Sequence, residues 1–112
     1  MIQEADLQEF HAARADGRPV VDVREPYEYV AGHVPGAQLV PLGQLPARWA
    51  ELAARWGDLA AGPVYVICAS GNRSKVGARI LAGAGVDARS VSGGTAAWQA
   101  SGAPVVRGSH PA

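Results

Sequence analysis

Short runs of β-branched and apolar residues alternate along this chain with segments in which apolar residues recur every three or four positions. The run at 64–67 is nearly all apolar, as expected for a strand that is covered on both faces of a sheet. Further strands are predicted at 20–24, 39–40 and 88–91, and helices at 5–15, 26–31, 42–59, 74–82 and 95–101. This alternation predicts an α/β domain with a mainly parallel central sheet and helices on both faces.

The length of the chain bounds its domain organisation. Its 112 residues fit one domain, since typical domains run to roughly 100–150 residues. We predict a single domain over residues 1–107, followed by a C-terminal tail at 108–112 that frays. With 48% hydrophobic and 18% charged residues, the composition is that of a globular protein and argues against disorder.

The charge balance and the cysteine content limit the kinds of partner and the cellular compartment that are expected. Ten Lys and Arg residues balance ten Asp and Glu residues, so no nucleic acid or anionic membrane is expected as a partner. No apolar run approaches the ~20 residues of a membrane span. The acidic, mixed beginning does not resemble a signal peptide. A single cysteine allows neither an intrachain disulfide nor a thiolate metal cluster, and it suits a reducing compartment, so a cytoplasmic location and no metal are predicted.

The single cysteine, Cys68, stands where the strand at 64–67 ends and a turn-rich segment leads into a helix. In open α/β sheets this end of the strands is where ligands collect. Backbone amides of a tight loop that runs into a helix N-terminus form a nest for an anion. Such surroundings lower the pKa of a thiol and favour the nucleophilic thiolate. We therefore predict that Cys68 is the catalytic residue, and that the loop residues after it bind the substrate: Ala69, Ser70, Gly71, Asn72, Arg73 and Ser74.

Three of the loop residues have individual predicted roles. Gly71 lets the backbone turn without a Cβ clash, Asn72 tolerates left-handed dihedral angles, and Arg73 supplies a positive charge for a bound oxyanion. The alternative is that Cys68 is a small buried apolar residue. The combination of thiol, glycine and arginine at a strand-to-helix turn favours the reactive role.

Asp22 and Arg24 lie at the end of another predicted inner strand. A carboxylate there can accept hydrogen bonds from loop amides or pair with Arg24, and we predict a supporting, structural role for both residues. His33 lies in a Gly-His-x-Pro-Gly turn and is expected to fix that turn through its ring nitrogens. His11 and His110 have no partners in the sequence that would suggest a metal site.

These motifs together resemble those of single-domain rhodaneses. The matching pieces are the Asp-Val-Arg-Glu beginning at Asp22, then Glu28, the Gly-His-Val-Pro-Gly-Ala beginning at Gly32, the loop from Cys68 to Arg73, and Gly93-Gly94 with Trp98. The resemblance extends from about residue 20 to about residue 104 and preserves order and spacing. It implies a rhodanese-like three-layer domain.

The resemblance also implies an activity. Rhodaneses are sulfurtransferases, so Cys68 is expected to take a sulfane sulfur as a persulfide, from thiosulfate or another persulfide donor, and to pass it to a thiol or cyanide acceptor. The acceptor could belong to a protein, and no cofactor is implied. Many members that favour thiosulfate carry a basic or bulky residue after the cysteine, whereas this chain has Ala69 and Ser70. A persulfide donor is therefore kept beside thiosulfate.

Three other functions are alternatives to sulfur transfer. Cysteine-dependent phosphatases place five residues between cysteine and arginine, whereas four lie between Cys68 and Arg73, so the loop suits a sulfur atom better than a phosphoryl group. The glycines at 83–88 match a dinucleotide fingerprint loosely but follow a helix, which indicates a helix end and a turn. The alternative from a different class is a rhodanese-fold redox-sensing or protein-docking module without turnover. Monomer and dimer both stay open.

Overall fold

A sheet of five parallel strands forms the centre of the computed structural model, which describes residues 2–112. The strands are β1 (Gln3–Ala5), β2 (Val20–Asp22), β3 (Gln38–Leu39), β4 (Val64–Ile67) and β5 (Ala88–Val91). They lie in the order β1-β5-β4-β2-β3. The sequence predicted a mainly parallel sheet, and every pair of strands in this sheet is parallel.

Five helices connect these strands: α1 (Leu7–Ala15), α2 (Pro26–Ala31), α3 (Leu45–Trp56), α4 (Asn72–Gly83) and α5 (Gly94–Ala100). Short 3₁₀ turns at Leu42–Gln44 and Gly57–Ala61 flank α3. The predicted helix at 42–59 is thus divided, since Gly57 adopts a φ of 56° and ends the α-helical part. Gly83 ends α4 and Gly85 turns the chain with a φ of 85°, so a helix end and a turn stand where the loose dinucleotide match lies.

Strand β4 divides the core into two halves, because successive side chains of a strand point to opposite faces. Tyr65 and Ile67 pack on one face with residues of α1 and α5, such as Phe10 and Trp98. Val64 and Val66 pack on the other face with residues of α3 and α4. The three-layer α/β prediction is confirmed: both faces of the sheet are covered.

The first strand was not predicted. The segment Gln3–Ala5 was assigned in part to the first helix, whereas the structure pairs it with β5 and begins α1 only at Leu7. Asp6 follows the strand and caps α1, since its carboxylate accepts a hydrogen bond from the amide of Glu9 at 2.8 Å.

C-terminal residues contact the turn that contains His33. The amide of Gly36 donates to the carbonyl of Pro111 at 2.9 Å, and Nε2 of His33 lies 2.8 Å from the carbonyl oxygen of His110. Nδ1 of His33 lies 2.8 Å from the carbonyl oxygen of Tyr29. Each ring nitrogen of the fully buried imidazole thus faces a backbone carbonyl, one in α2 and one in the C-terminal segment.

Among residues 2–112, no helix is both long enough and apolar enough to cross a bilayer.

Candidate active site

Cys68 lies directly after β4, at the start of the loop that leads to α4. Its side chain is 1% exposed. Only the three residues 69–71 separate Cys68 from α4, since this helix begins at Asn72 and not at Ser74 as predicted. The early start brings the amides and hydroxyls of the first helical turn close to the sulfur.

One group of this loop and one group of α4 reach the sulfur atom. The amide N–H of Gly71 donates to Sγ at 3.1 Å, and the Ser74 hydroxyl oxygen lies 3.4 Å from Sγ. Gly71 has a φ of 109°, a left-handed value that favours glycine. In this conformation the Gly71 amide points at the sulfur.

The electrostatics of the loop favour the thiolate. Burial raises the pKa of the Cys68 thiol, because a charged sulfur loses its hydration. Hydrogen bonds from the Ser74 hydroxyl and from the amides of Ser74, Gly71 and Ser70 lower it, and their combined effect is the larger. The pKa of the thiol is therefore below its ordinary value, which raises the fraction of thiolate at a given pH.

The first turn of α5, which follows β5 after a short loop, holds the Cys68 loop in place. The carbonyl of Cys68 accepts hydrogen bonds from the Thr95 amide at 2.8 Å and from the Thr95 hydroxyl at 3.0 Å. The carbonyl of Ala69 accepts one from the Ala96 amide at 3.0 Å. Since the C=O and N–H of one peptide point in opposite directions, these bonds turn the amides of Ala69 and Ser70 away from α5 and towards the sulfur's side.

Gly94, the first residue of α5, makes this close approach to the Cys68 loop possible, so replacing it with alanine should destabilise the protein. A Cβ there would lie 2.5 Å from the Cys68 carbonyl oxygen and 2.7 Å from the Ala69 carbonyl oxygen, and the φ of 59° disfavours any side chain. We expect Gly94→Ala to lower the free energy of unfolding by about 2–4 kcal/mol, measured by urea unfolding.

Gly85→Ala is the matched control, because its φ is 85° and an added Cβ would meet no atom within 4 Å. It should cost only the backbone strain, about 1 kcal/mol. Equal losses in the two variants would contradict the role assigned to the close approach at Gly94.

Arg73 is held by Glu28, a residue of α2. Its Nη1 and Nη2 donate to the two carboxylate oxygens at 2.7 and 2.8 Å. The guanidinium is 38% exposed and the carboxylate 19%. This two-point pair links α2 to α4 across the rim of the site and leaves Arg73 matched by a negative charge.

The pair makes stability depend on pH. Hydrogen bonds from Arg73 lower the pKa of Glu28 to about 2, against the smaller opposing effect of burial. Because the folded pKa lies below the ordinary value of 4.5, Glu28 stabilises the protein above pH 4.5 and loses that effect as the pH falls towards 2.

We therefore expect Glu28→Gln to be less stable than the parent by about 1 kcal/mol at pH 7, allowing for the solvent exposure of Arg73. The difference between the two proteins should shrink below pH 4.5. Urea unfolding at pH 7 and at pH 3 measures it. A difference that is the same at both pH values would contradict an ionic role for Glu28.

Asp22 and Arg24 form the buried pair that the sequence suggested. One carboxylate oxygen of Asp22 accepts from the Arg24 amide at 3.1 Å and from Nε at 3.0 Å, and the other accepts from Nη2 at 2.9 Å. The same Nη2 donates to the carbonyl of Gly32 at 2.8 Å. The pair thus holds the end of β2 against the turn that contains His33.

Three residues near the sulfur were missed as site residues in the sequence. Glu28 was noted only as part of a motif, and Ser90 and Thr95 were not singled out. Each is distant from its partner along the chain, so no local pattern reveals the contact. Among residues 2–112, no three histidine, cysteine or carboxylate residues are grouped so as to hold a metal ion.

Comparisons with known proteins find related sequences and structures. A family model described as the rhodanese-like domain matches residues 6–101. The chain is 37% identical over 91 residues to the thiosulfate sulfurtransferase GlpE of Pseudomonas entomophila, a match that covers 79% of this chain and 76% of GlpE. A match of 39% identity to YrkF of Bacillus subtilis covers 55% of this chain, which spans only 30% of the length of YrkF. The crystal structure of a rhodanese-related protein from Thermoplasma volcanium superimposes with a TM-score of 0.81 at 29% identity, over 93% of this chain and 97% of that one.

Proposed function

Because this chain belongs to the rhodanese-like domain family, we propose that it is a sulfurtransferase which carries a sulfane sulfur on Cys68 as a persulfide. The observation that carries the proposal is the surroundings of the sulfur: the Gly71 amide donates to Sγ at 3.1 Å, and the Ser74 hydroxyl lies 3.4 Å away, where it can donate to the ionised sulfur. They lower the energy of the thiolate at the end of a strand, where an incoming anion can also meet backbone amides.

The reaction proceeds in two displacements at sulfur. The Cys68 thiolate attacks the sulfane sulfur of thiosulfate, a new S–S bond forms, and the old S–S bond breaks so that sulfite leaves with the electron pair. The acceptor, cyanide or a thiolate, then attacks the outer sulfur of the persulfide. The bond to Sγ breaks, and Cys68 leaves as a thiolate that is ready for the next donor. No electrons are gained or lost by the protein over the cycle.

The loop has the same task in both displacements. Negative charge lies first on Sγ, then on the outer sulfur of the persulfide, and on Sγ again when the acceptor has reacted. Amides fixed by the fold stabilise such charge without having to reorganise during the reaction. In this proposal the six residues Ala69 to Ser74 bind the donor through their backbone and hold the persulfide.

The donor is thiosulfate or another sulfane donor such as a persulfide. The homologue GlpE carries thiosulfate in its name. In this chain, however, Arg73 is already matched by Glu28, and Ala69 and Ser70 bring no charge to the loop. These features support a persulfide as an alternative donor to thiosulfate. A persulfide anion carries one negative charge and needs less positive charge in the loop than thiosulfate, which carries two. A reducing compartment such as the cytoplasm suits this chemistry, since the thiolate must not be oxidised.

Intact mass after incubation with thiosulfate, and separately with a low-molecular-weight persulfide, tests the proposal. We expect a gain of one sulfur atom that a reductant removes and that cyanide releases as thiocyanate. Protein alkylated beforehand with iodoacetamide is the control, because the chain has a single cysteine. No gain with either donor would overturn the proposal. Oxidation by peroxide without any sulfur loading would instead support the redox-sensing module.

A further inference from the structure

A buried hydroxyl group lies behind the active-site sulfur. Ser90, on β5, and Ser74, on α4, are both fully buried, and their hydroxyl oxygens lie 2.7 Å apart. Ser74 in turn lies 3.4 Å from Sγ of Cys68. The three side chains form a line from β5 through the first turn of α4 to the sulfur. Within residues 2–112, Ser74 is the sole hydrogen-bond partner of the Ser90 hydroxyl.

Counting hydrogen atoms along this line shows which charge state of the sulfur it fits. The line has two contacts, from Ser90 to Ser74 and from Ser74 to Sγ, so it accommodates two hydrogen atoms. With a neutral thiol there are three, one on each group, and one of them is buried without an acceptor. With a thiolate there are two: Ser90 donates to Ser74, and Ser74 donates to the sulfur. A buried donor without a partner is unfavourable, so the line favours the thiolate.

We propose that Ser90 is a positioning residue of the sulfurtransferase, which directs the hydroxyl hydrogen of Ser74 towards Sγ and thereby holds Cys68 in its anionic form. This inference rests on the proposed function, because both displacements need the thiolate, as nucleophile in the first and as leaving group in the second. Ser90 does not touch the sulfur and acts only through Ser74. The known activity of relatives and the motif around Cys68 do not assign this role.

The charged groups around the sulfur are not part of this line. Arg73, on α4, is the cation whose field reaches Cys68, and Glu28 of α2 binds it. Among residues 2–112, the Ser90 hydroxyl bonds only to Ser74 and the Arg73 guanidinium bonds only to Glu28. A change at Ser90 thus leaves these charges in place.

The rate of alkylation of Cys68 by iodoacetamide, followed as a function of pH, measures the thiolate directly and needs no sulfur donor. In Ser90→Ala we expect the rate below the midpoint of the titration to fall about three- to tenfold, with an unchanged plateau at high pH. Ser74→Ala should show at least the same loss. In the Ser74→Ala background, Ser90→Ala should add little, because its path to the sulfur is already cut.

Two further variants separate positioning from packing. Ser92→Ala removes an exposed hydroxyl two residues along the chain and should leave the profile unchanged. Ser90→Thr keeps the hydroxyl on a strand, where a β-branched residue is favoured, and should restore the parent profile. Thermal unfolding checks that each variant is folded.

A Ser90→Ala profile that superimposes on that of the parent would overturn the inference, as would a full additional loss in the Ser74→Ala background. Failure of the parent to gain sulfur from any donor overturns the proposed function instead. The alkylation profiles then still decide whether Ser90 acts on the thiolate, so the two failures are distinguishable.

Discussion

Replacing Cys68 with serine should abolish sulfur transfer and leave the fold intact. The serine hydroxyl stays neutral at ordinary pH, and its oxygen cannot carry a sulfane sulfur as a persulfide. Removal of a covalent nucleophile typically costs several orders of magnitude in rate, so we expect thiocyanate formation from thiosulfate and cyanide to fall by at least about a thousandfold. The steady-state rate of thiocyanate formation measures it.

The fold should tolerate this change because serine has nearly the size of cysteine. A hydroxyl at position 68 can still accept from the Gly71 amide and bond to Ser74. Ser92→Ala, on the neighbouring loop, is the matched control and should keep the parent rate. A Cys68→Ser protein that retained more than a few per cent of the parent rate would show that transfer does not depend on this sulfur.

Asp22→Ala should be the most destabilising of the substitutions considered for this protein. Asp22 is fully buried, and it accepts hydrogen bonds from the amide, Nε and Nη2 of Arg24. Arg24 is itself only 6% exposed. Removing the carboxylate leaves a buried positive charge without its bonded counter-ion, which typically costs about 3–5 kcal/mol. Urea unfolding of the variant measures the loss.

Glu4→Gln offers the contrast. Glu4 pairs with Lys75 at 3.9 Å, but both side chains are about half exposed. Such pairs are screened by water, so the variant should lose less than about 0.5 kcal/mol. If Asp22→Ala cost no more than Glu4→Gln, the buried pair would not hold β2 and the His33 turn together in the way the structure indicates.

Local sequence signals were sufficient for most strands and helices but not for the first strand. The run before Cys68 is apolar throughout, and glycines mark where the helices end, so each of these could be located from neighbouring residues. Gln3–Ala5 is short and mostly polar, and only Ala5 is fully buried. Its strand conformation comes from pairing with β5, a partner that lies at the far end of the sequence.

In the candidate site, too, contacts between neighbouring residues could be predicted and contacts between distant residues could not. Gly71 and Ser74 were expected near Cys68 because they follow it within one loop and one helical turn. Glu28, Ser90 and Thr95 were not expected. They are separated from Arg73, Ser74 and Cys68 by 45, 16 and 27 residues, respectively. Only the order of the strands in the sheet brings them together, and no periodicity in a single sequence reveals such contacts.

The strand order has a consequence for the timing of synthesis. In the described part of the chain β1 pairs only with β5, residue 3 lying opposite residue 89, so this edge of the sheet cannot form until β5 has left the ribosome. The Thr95 amide and hydroxyl that hold the carbonyl of Cys68 emerge later still. During synthesis the loop of Cys68 is therefore made before the groups of α5 that hold it are available.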